Sequence, residues 1–391
     1  MVVGLGLPSV ATGLFMPLTL VYFTVLTEIP LSTLGLITGT AVIATVPLPI
    51  VVGVMVDRWG ASRVVAASLL IQACGFAGFT VARSAWAVFA VSAIMAIGNR
   101  VYWSSIYSAI AGHSDETAGR SSPWWFAVAN VSRTVGITGG GVITGIVITL
   151  GSTAVYQTVA AAAAVLLVAA ALVLPHERRR PPRGATPLAG LAEALRDLPF
   201  VGYTLVNSVF ALSVLFLGLA LPTTMRSALG GPGWLTAAYL TVNAVLVAAL
   251  GLRAARWTER RTHARALAAA GIVWAVAYAT IAVAVTLPLW GAIVPLAIAV
   301  AGIASAEAAQ APASMSWATL AAPRLARGRY LALFQYSWLI AEVTAPVVFA
   351  SLFARAAWLP FALVSAANLV AVAALPAVAR RMKARTNAPV E

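Results

Sequence analysis

A chain of 391 residues that is 61% hydrophobic and only 9% charged cannot be a soluble domain, in which roughly a quarter of residues carry charge. The 25 lysines and arginines outweigh the 11 acids by a net +14, yet no basic stripe interleaved with aromatics accompanies that excess. The charge therefore reads as membrane topology and attraction to anionic inner-leaflet lipid, and excludes a nucleic-acid surface.

Twelve apolar runs are long enough to cross ~30 Å of hydrocarbon as helices. In chain order they cover residues 3–27, 32–56, 63–83, 85–110, 122–149, 153–174, 200–222, 233–252, 264–287, 289–311, 330–354 and 357–379. The first is too long, and lacks the cationic lead, for a cleaved signal peptide. It also begins almost at Met1, without the cytosolic lead expected before a first span, so a natural start further upstream is expected. With the amino terminus placed inside, only Arg83, Arg226 and Arg355 fall in outside turns, Arg100 and Arg133 lie within spans, and the remaining cations occupy inside turns and the tail. Both termini are then cytosolic. Lys383 is the only lysine, and arginine, alanine and valine are used heavily, a pattern expected of a GC-rich bacterial genome and hence of a bacterial plasma membrane.

The long connection from Pro175 to Pro199 divides the chain into an expected amino-terminal half, 1–174, a linker, 175–199, and a carboxy-terminal half with a basic tail, 200–391. The linker opens on His176-Glu177-Arg178-Arg179-Arg180-Pro181-Pro182-Arg183, which cannot be embedded. It continues with Leu188, Leu191, Leu195 and Leu198 at helical spacing around Glu193, Arg196 and Asp197, so a short helix on the inner surface is expected.

The turn between spans 2 and 3 reads Gly53-Val54-Met55-Val56-Asp57-Arg58-Trp59-Gly60-Ala61-Ser62-Arg63. A small residue one turn before a helix end allows close helix approach in a membrane, and an aspartate at the exit suits the exposed amides and positive dipole end of a neighbouring helix. The stretch resembles the loop between the second and third helices of the major facilitator superfamily, with Gly53, Asp57, Arg58 and Gly60 at that family's spacing. Where the family has a basic pair after the second glycine, this chain has Ala61-Ser62, and Arg63 is the remaining cation. The resemblance implies that Asp57 latches one half to the start of span 11 in one conformational state. Gly251-Leu252-Arg253-Ala254-Ala255-Arg256-Trp257 repeats the glycine, arginine and tryptophan 198 residues later, with Ala255 in place of the acid, and Gly328-Arg329 echoes Gly119-Arg120. Two echoes in one order argue for duplicated six-span halves, so the expected fold is all-α, with twelve transmembrane helices in two pseudo-symmetric halves.

Nothing in the chain reads as an enzyme or a cofactor site. The three histidines, His113, His176 and His263, are not at metal-ligand spacing, Cys74 is the lone cysteine, and no phosphate-binding loop occurs. Gly136, Gly139, Gly140, Gly141 and Gly145 lie inside span 5, where close packing explains them. That glycine-rich span also resembles the family's proton-driven exporters, although the proline of their signature is missing.

Four ionisable residues fall inside spans, Arg100 and Arg133 in the first half and Glu307 and Glu342 in the second. Each costs ~2.5–3.5 kcal/mol at the bilayer centre, so each should face a cavity or a partner. Arg100, Trp103, Ser104 and Tyr107 share a face of span 4, and Asn130, Arg133 and Thr134 a face of span 5. Glu307, Gln310 and Ser314 do so on span 10, and Gln335, Trp338 and Glu342 on span 11. The arginine of span 4 is similar to the one the family links to proton transfer, with Trp103 where glutamine is usual. Residues 307–346 resemble spans 10 and 11 of bacterial drug:proton antiporters. The resemblance implies a monomeric secondary transporter working by alternating access, exporting a small amphipathic molecule against protons. Trp103, Tyr107, Asn130, Gln310, Gln335 and Trp338 would line its cavity, and the four ionisable residues would couple it. Uptake of a sugar or an organic anion is the alternative within the fold, and a transport-inactive scaffold or sensor the alternative outside it.

Overall fold

In a bilayer no water is available to satisfy the backbone, and an α-helix satisfies it within one segment. The computed structural model describes residues 2–15, 40–41, 43–116, 121–150, 153–174, 194–323 and 326–386, and among these the regular elements are helices with no strand. They are α1 (Val2–Phe15), α2 (Leu48–Trp59), α3 (Ala61–Phe79), α4 (Ala85–Glu116), α5 (Ser122–Leu150) and α6 (Thr153–Val173), then α7 (Leu198–Ser227), α8 (Gly233–Glu259), α9 (His263–Ala284), α10 (Leu289–Ala321), α11 (Arg327–Phe334), α12 (Tyr336–Phe353) and α13 (Leu359–Thr386). Among the described residues nine segments are long and apolar enough to cross a membrane, α11 and α12 together making one of them. Helices α1, α2 and α5 fall in the other three expected runs, and parts of the first two, 3–27 and 32–56, lie outside the described residues.

The expected surface helix of the linker lies mostly outside the described residues. At its end Asp197 does something else: it stands at the N-cap of α7 and accepts a hydrogen bond from the amide of Phe200 at 3.3 Å, with Pro199 in the first turn. Thr262 caps α9 in the same way through the Arg265 amide.

The chain divides into two compact units. The first comprises Met1–Gly119, Val128–Leu191 and Pro323–Leu333, and the second Arg120–Ala127, Ala192–Ala322 and Phe334–Glu391. Within the first, α3 packs along α4 and α6, α1 along α6, and α2 along α4. Within the second, α9 packs along α10 and α13, α7 along α13, and α8 along α10. The pairings of spans 3 with 4, 3 with 6, 1 with 6 and 2 with 4 thus recur six spans later, the signature of a duplicated half.

Packing in the second unit centres on buried aromatics: Phe210 stacks on Trp274 at 5.7 Å between centroids, and Phe216 meets Tyr278, Phe349 and Phe361 edge-on. Five exposed tryptophans are elsewhere, Trp59 at the end of α2 and four others. Trp86, Trp234 and Trp290 open α4, α8 and α10, Trp358 precedes α13, and all four are exposed. All stand at helix ends, where the aromatic belts of a membrane interface lie.

The glycines of α5 show what holds the first unit. A Cβ on Gly136 would stand 2.6 Å from Ser9 Cβ, and one on Gly140 2.5 Å from the Val10 carbonyl oxygen, whereas Gly139 and Gly141 have nothing within 4 Å. Gly136 and Gly140, one turn apart, bring the backbones of α5 and α1 together, the small-residue contact membranes use where there is no hydrophobic drive. Gly140→Val is therefore expected to cost about 1–3 kcal/mol as an overpacked contact and to lower the thermal midpoint in detergent, while Gly139→Ala leaves it unchanged. Equal midpoints for the two variants would remove this contact from the account.

Candidate functional site

The turn between α2 and α3 owes its form to two glycines. Gly60 has φ 89°, a conformation L side chains rarely adopt, and its amide donates to the Val56 carbonyl at 2.9 Å. The chain can thus stop α2 and start α3 without an intervening loop. About two helical turns earlier, a Cβ on Gly53 would meet Arg329 Cα at 2.8 Å and Ala332 Cβ at 3.0 Å, so α2 and α11 touch backbone to backbone.

This approach delivers Asp57 onto the amino end of α11, inside the first unit. Its Oδ1 accepts from the Gly328 amide at 2.7 Å, and its Oδ2 accepts from the Arg329 amide at 3.3 Å and from Arg329 Nε at 2.7 Å. The carboxylate thus satisfies two orphan amides of a helix start, meets the positive dipole end and pairs with a guanidinium buried to 4% exposure. Gly328 is required here, since its Cβ would stand 2.5 Å from Asp57 Oδ1 and 2.9 Å from the Gly53 carbonyl oxygen. Burial pushes the Asp57 carboxyl above the ordinary aspartate range, and the bonds from Gly328 and Arg329 pull it down without overcoming that shift. Arg327 adds an ion pair to Asp115 at the end of α4. Arg58 and Arg63 are exposed.

The second unit has a related contact. Ser121, just before α5, donates its hydroxyl to the carboxylate of Glu259 at the end of α8. The acid missing at Ala255 is supplied one helical turn later. Sequence reasoning passed over Glu259 and Asp115 and gave Arg329 only as an echo of Arg120, because each takes its partner from more than a hundred residues away.

The remaining site candidates sort by unit. In the first, α4 and α5 bring Arg133 over the Trp103 ring at 5.8 Å, within cation–π range, while Arg133 Nη2 donates to Asn130 Oδ1 at 3.1 Å. Trp103 lies 6.1 Å from Tyr107 between ring centroids, and one turn away the buried Arg100 donates from Nε to Thr45 Oγ1 at 3.4 Å. The span 4 and span 5 faces therefore do form one cluster. In the second unit, Gln310 is 1% exposed and donates to Asn207 Oδ1 at 2.9 Å and Ser314 Oγ at 3.1 Å, and Asn207 in turn donates to Ser337 at 2.8 Å. These bonds tie α7, α10 and α12 together, so Gln310 is occupied in packing. Glu307 is 8% exposed on α10, whereas Glu342 on α12 is exposed. Gln335 interrupts α11 and α12, is buried, and has no hydrogen-bond partner at Nε2, while Trp338 is half-buried. Among the described residues no three histidines, cysteines or acids gather as a metal site would need.

The profile of the Major Facilitator Superfamily matches residues 2–306, and the chain belongs to that family of membrane transporters. Its fold is shared with solved transporters at low sequence identity. A human organic anion transporter (TETRAN) superposes with a TM-score of 0.74 at 17% identity, over 96% of this chain and 97% of that one. The E. coli fucose:proton symporter FucP gives 0.73 at 16% identity over the same shares, and a bacterial homologue of the iron transporter ferroportin gives 0.68 at 14% over 97% and 98%. A comparison with curated protein sequences finds no significant match. The protein is thus a multi-pass, all-α membrane protein with the major facilitator fold.

The raised Asp57 gives a test of the clasp by pH. At neutral pH the ionised carboxylate should protect the Gly328 and Arg329 amides from hydrogen exchange. Because burial raises the carboxyl in the clasped arrangement, proton uptake favours that arrangement, so protection of both amides should grow as pH falls, beginning above the pH at which an exposed aspartate titrates. Asp57→Asn should abolish that pH step, after correction for intrinsic exchange. A step that persists in Asp57→Asn belongs to another group.

Proposed function

We propose that this chain is a secondary active transporter that exports a small amphipathic compound in exchange for protons, as a monomer in a bacterial plasma membrane with both termini cytosolic. Residues 1–174 and 200–391 act as its two halves, joined by the linker 175–199, and alternate access between the two sides. The observation that carries the reading is the grip of Asp57 on the start of α11. A carboxylate bound to two free amides and a buried guanidinium is stable only while that helix start is present, so it stabilises whichever conformational state presents it. We assign Gly53, Asp57, Arg58, Gly60 and Arg63 to this latch.

Coupling is assigned to Glu307, an acid almost wholly removed from water and the one charged residue of α10, with Arg100 and Arg133 as the groups that modulate it and Glu342 as the substrate-facing acid. Such residues are retained in a membrane against a cost, which favours a working role for them. The clustered Trp103, Tyr107, Asn130 and Arg133 support a cavity wall that offers aromatic faces and one cation, a surface fit for a molecule with apolar body and polar end. Gln335 and Trp338 complete the proposed lining, and Gln310 fixes the helices behind them. The proton that Glu307 takes up from one side is released to the other after the halves have exchanged access, and substrate moves in the opposite sense.

Reconstituted vesicles with an imposed pH gradient and a panel of amphipathic cations, sugars and organic anions test the reading. Glu307→Gln should end gradient-driven accumulation while leaving substrate-for-substrate exchange, because only the proton step is removed. Glu342→Gln should weaken substrate binding with coupling intact. If both variants keep full proton-driven transport, neither acid carries the proton.

Asp57→Asn should slow net transport about tenfold or more with substrate binding preserved, the loss expected when a state is destabilised by the one charge-assisted contact it depends on. Native turnover in that variant would reduce the turn to a signal for orientation.

A further inference from the structure

The second copy of the turn motif ends in Trp257 and has lost its acid at the buried Ala255, so it makes no clasp of the Asp57 kind. What it borders is an opening. α8 and α9 each pack along α10 far more than along one another, and where they part over it the second unit carries a groove of about 400 Å3. Ala254, Ala269, Ala270, Ala306 and Ala309 form much of its lining, with Val273 and Arg253 among them and Trp257 nearest the end of α8. The space exists because five alanines stand where larger side chains would close it. Ser305 in its wall turns its hydroxyl back to the Ala301 carbonyl at 2.8 Å, which leaves the groove apolar.

Arg253 stands six residues before the end of α8, about 9 Å along the axis, and its side chain is exposed. Its Nη1 donates to the Ala249 carbonyl at 3.5 Å, a long contact from an exposed side chain, and rotation of that side chain would carry the guanidinium toward the headgroup level with its stem on apolar surface. The groove runs from Leu250 to Trp257 along α8, about 10 Å, a large part of one leaflet's share of the hydrocarbon. Around its cationic end Arg256, Arg260, Arg261 and Arg265 are exposed, and Arg261 lies over the Trp257 ring at 4.1 Å. The acid among them, Glu259, is engaged by Ser121.

We propose that this groove is a binding site for one anionic glycerophospholipid of the leaflet at the α8–α9 turn, with its phosphate on Arg253 and one acyl chain over Ala254, Ala269, Ala270 and Ala306. Charge complementarity selects this occupant. A zwitterionic headgroup would bring its own cation into a ring of arginines, a free phosphate has no chain to fill the apolar length, and a neutral apolar compound leaves Arg253 without an anion. The assignment is independent of what the protein transports.

The test is lipid retention by the purified full-length protein from nanodiscs of equal phosphatidylglycerol and phosphatidylcholine, read by native mass spectrometry. One phosphatidylglycerol should be held in preference to phosphatidylcholine. Arg253→Gln should reduce that preference about fivefold, the weight of one cation at an anionic surface, and Arg83→Gln, in a turn on the other face, should not. Ala269→Phe should expel the lipid by filling the groove. Ser305→Leu, on an exposed face, gives the same reading should Ala269→Phe fail to fold. Equal retention of the two lipids, unchanged retention in Arg253→Gln or in the foldable filling variant, or full displacement by soluble glycerol phosphate would each overturn the proposal.

Discussion

The carboxylate of Asp57 on the amino end of α11 sets the conditions that the neighbouring residues must meet. To reach two amides and a guanidinium at once, it needs α2 and α11 closer than side chains ordinarily permit, and Gly53 and Gly328 remove the obstacle from both helices. It needs α2 to end immediately beyond it, and Gly60 at φ 89° provides the stop. It also commits Arg329 to burial, a charge that could not stay at 4% exposure without its partner, since breaking a buried pair costs about 3–5 kcal/mol. The residues of the turn are therefore not separately adjustable.

The same architecture occurs twice with unequal strength. Helix pairings in the first unit recur in the second, and both units place an acid at the end of the second span of the half against a segment opening another helix. In the first unit the acid holds backbone amides and a guanidinium, whereas in the second Glu259 holds a single hydroxyl from an exposed position. A charge-assisted contact that is screened by solvent is worth far less than one withdrawn from it. Two such contacts of equal strength would hold a protein in one arrangement. Unequal ones permit alternation, on the proposed cycle, with the stronger setting which side is favoured at rest.

How much of this the sequence discloses depends on the distance over which a residue finds its partner. Gly53, Asp57 and Gly60 are legible because their spacing is local: helix contact, exit and stop follow within eight positions. Gly136 and Gly140 are legible for the same reason, being one turn apart on one face, although nothing in the sequence separates them from Gly139 and Gly141, which touch nothing. Arg329 looks like any cytosolic cation until α2 is seen to arrive beside it, 272 residues away. Glu259 is hidden by a shift of one turn from the position where the repeat predicts an acid. Glu307 and Glu342 are indistinguishable as intramembrane acids in sequence, yet one is buried and the other exposed, because helical spacing reports a face and not what lies against it.

Polar side chains inside the second unit bear on how such a protein can move. Asn207, Gln310, Ser314 and Ser337 join three helices by hydrogen bonds, but interhelical bonds in membranes contribute only about 0.6 kcal/mol each on average. Their effect is on specificity: an amide in hydrocarbon must find a partner, so each fixes the rotation of its helix more firmly than it stabilises the bundle. Satisfaction is incomplete at the point where span 11 passes from one unit to the other. Gln310 Oε1 and Gln335 Nε2 are buried without partners, and Gln335 is the residue at which the helix is interrupted. An unmade bond in an apolar interior raises the energy of the arrangement that contains it, by about 1–3 kcal/mol for a buried polar group. A bundle with every amide satisfied would resist rearrangement there. One that leaves an amide open beside the break lowers the difference between this arrangement and another in which the bond is made, which is the condition for two conformations of span 11 to be populated by one sequence.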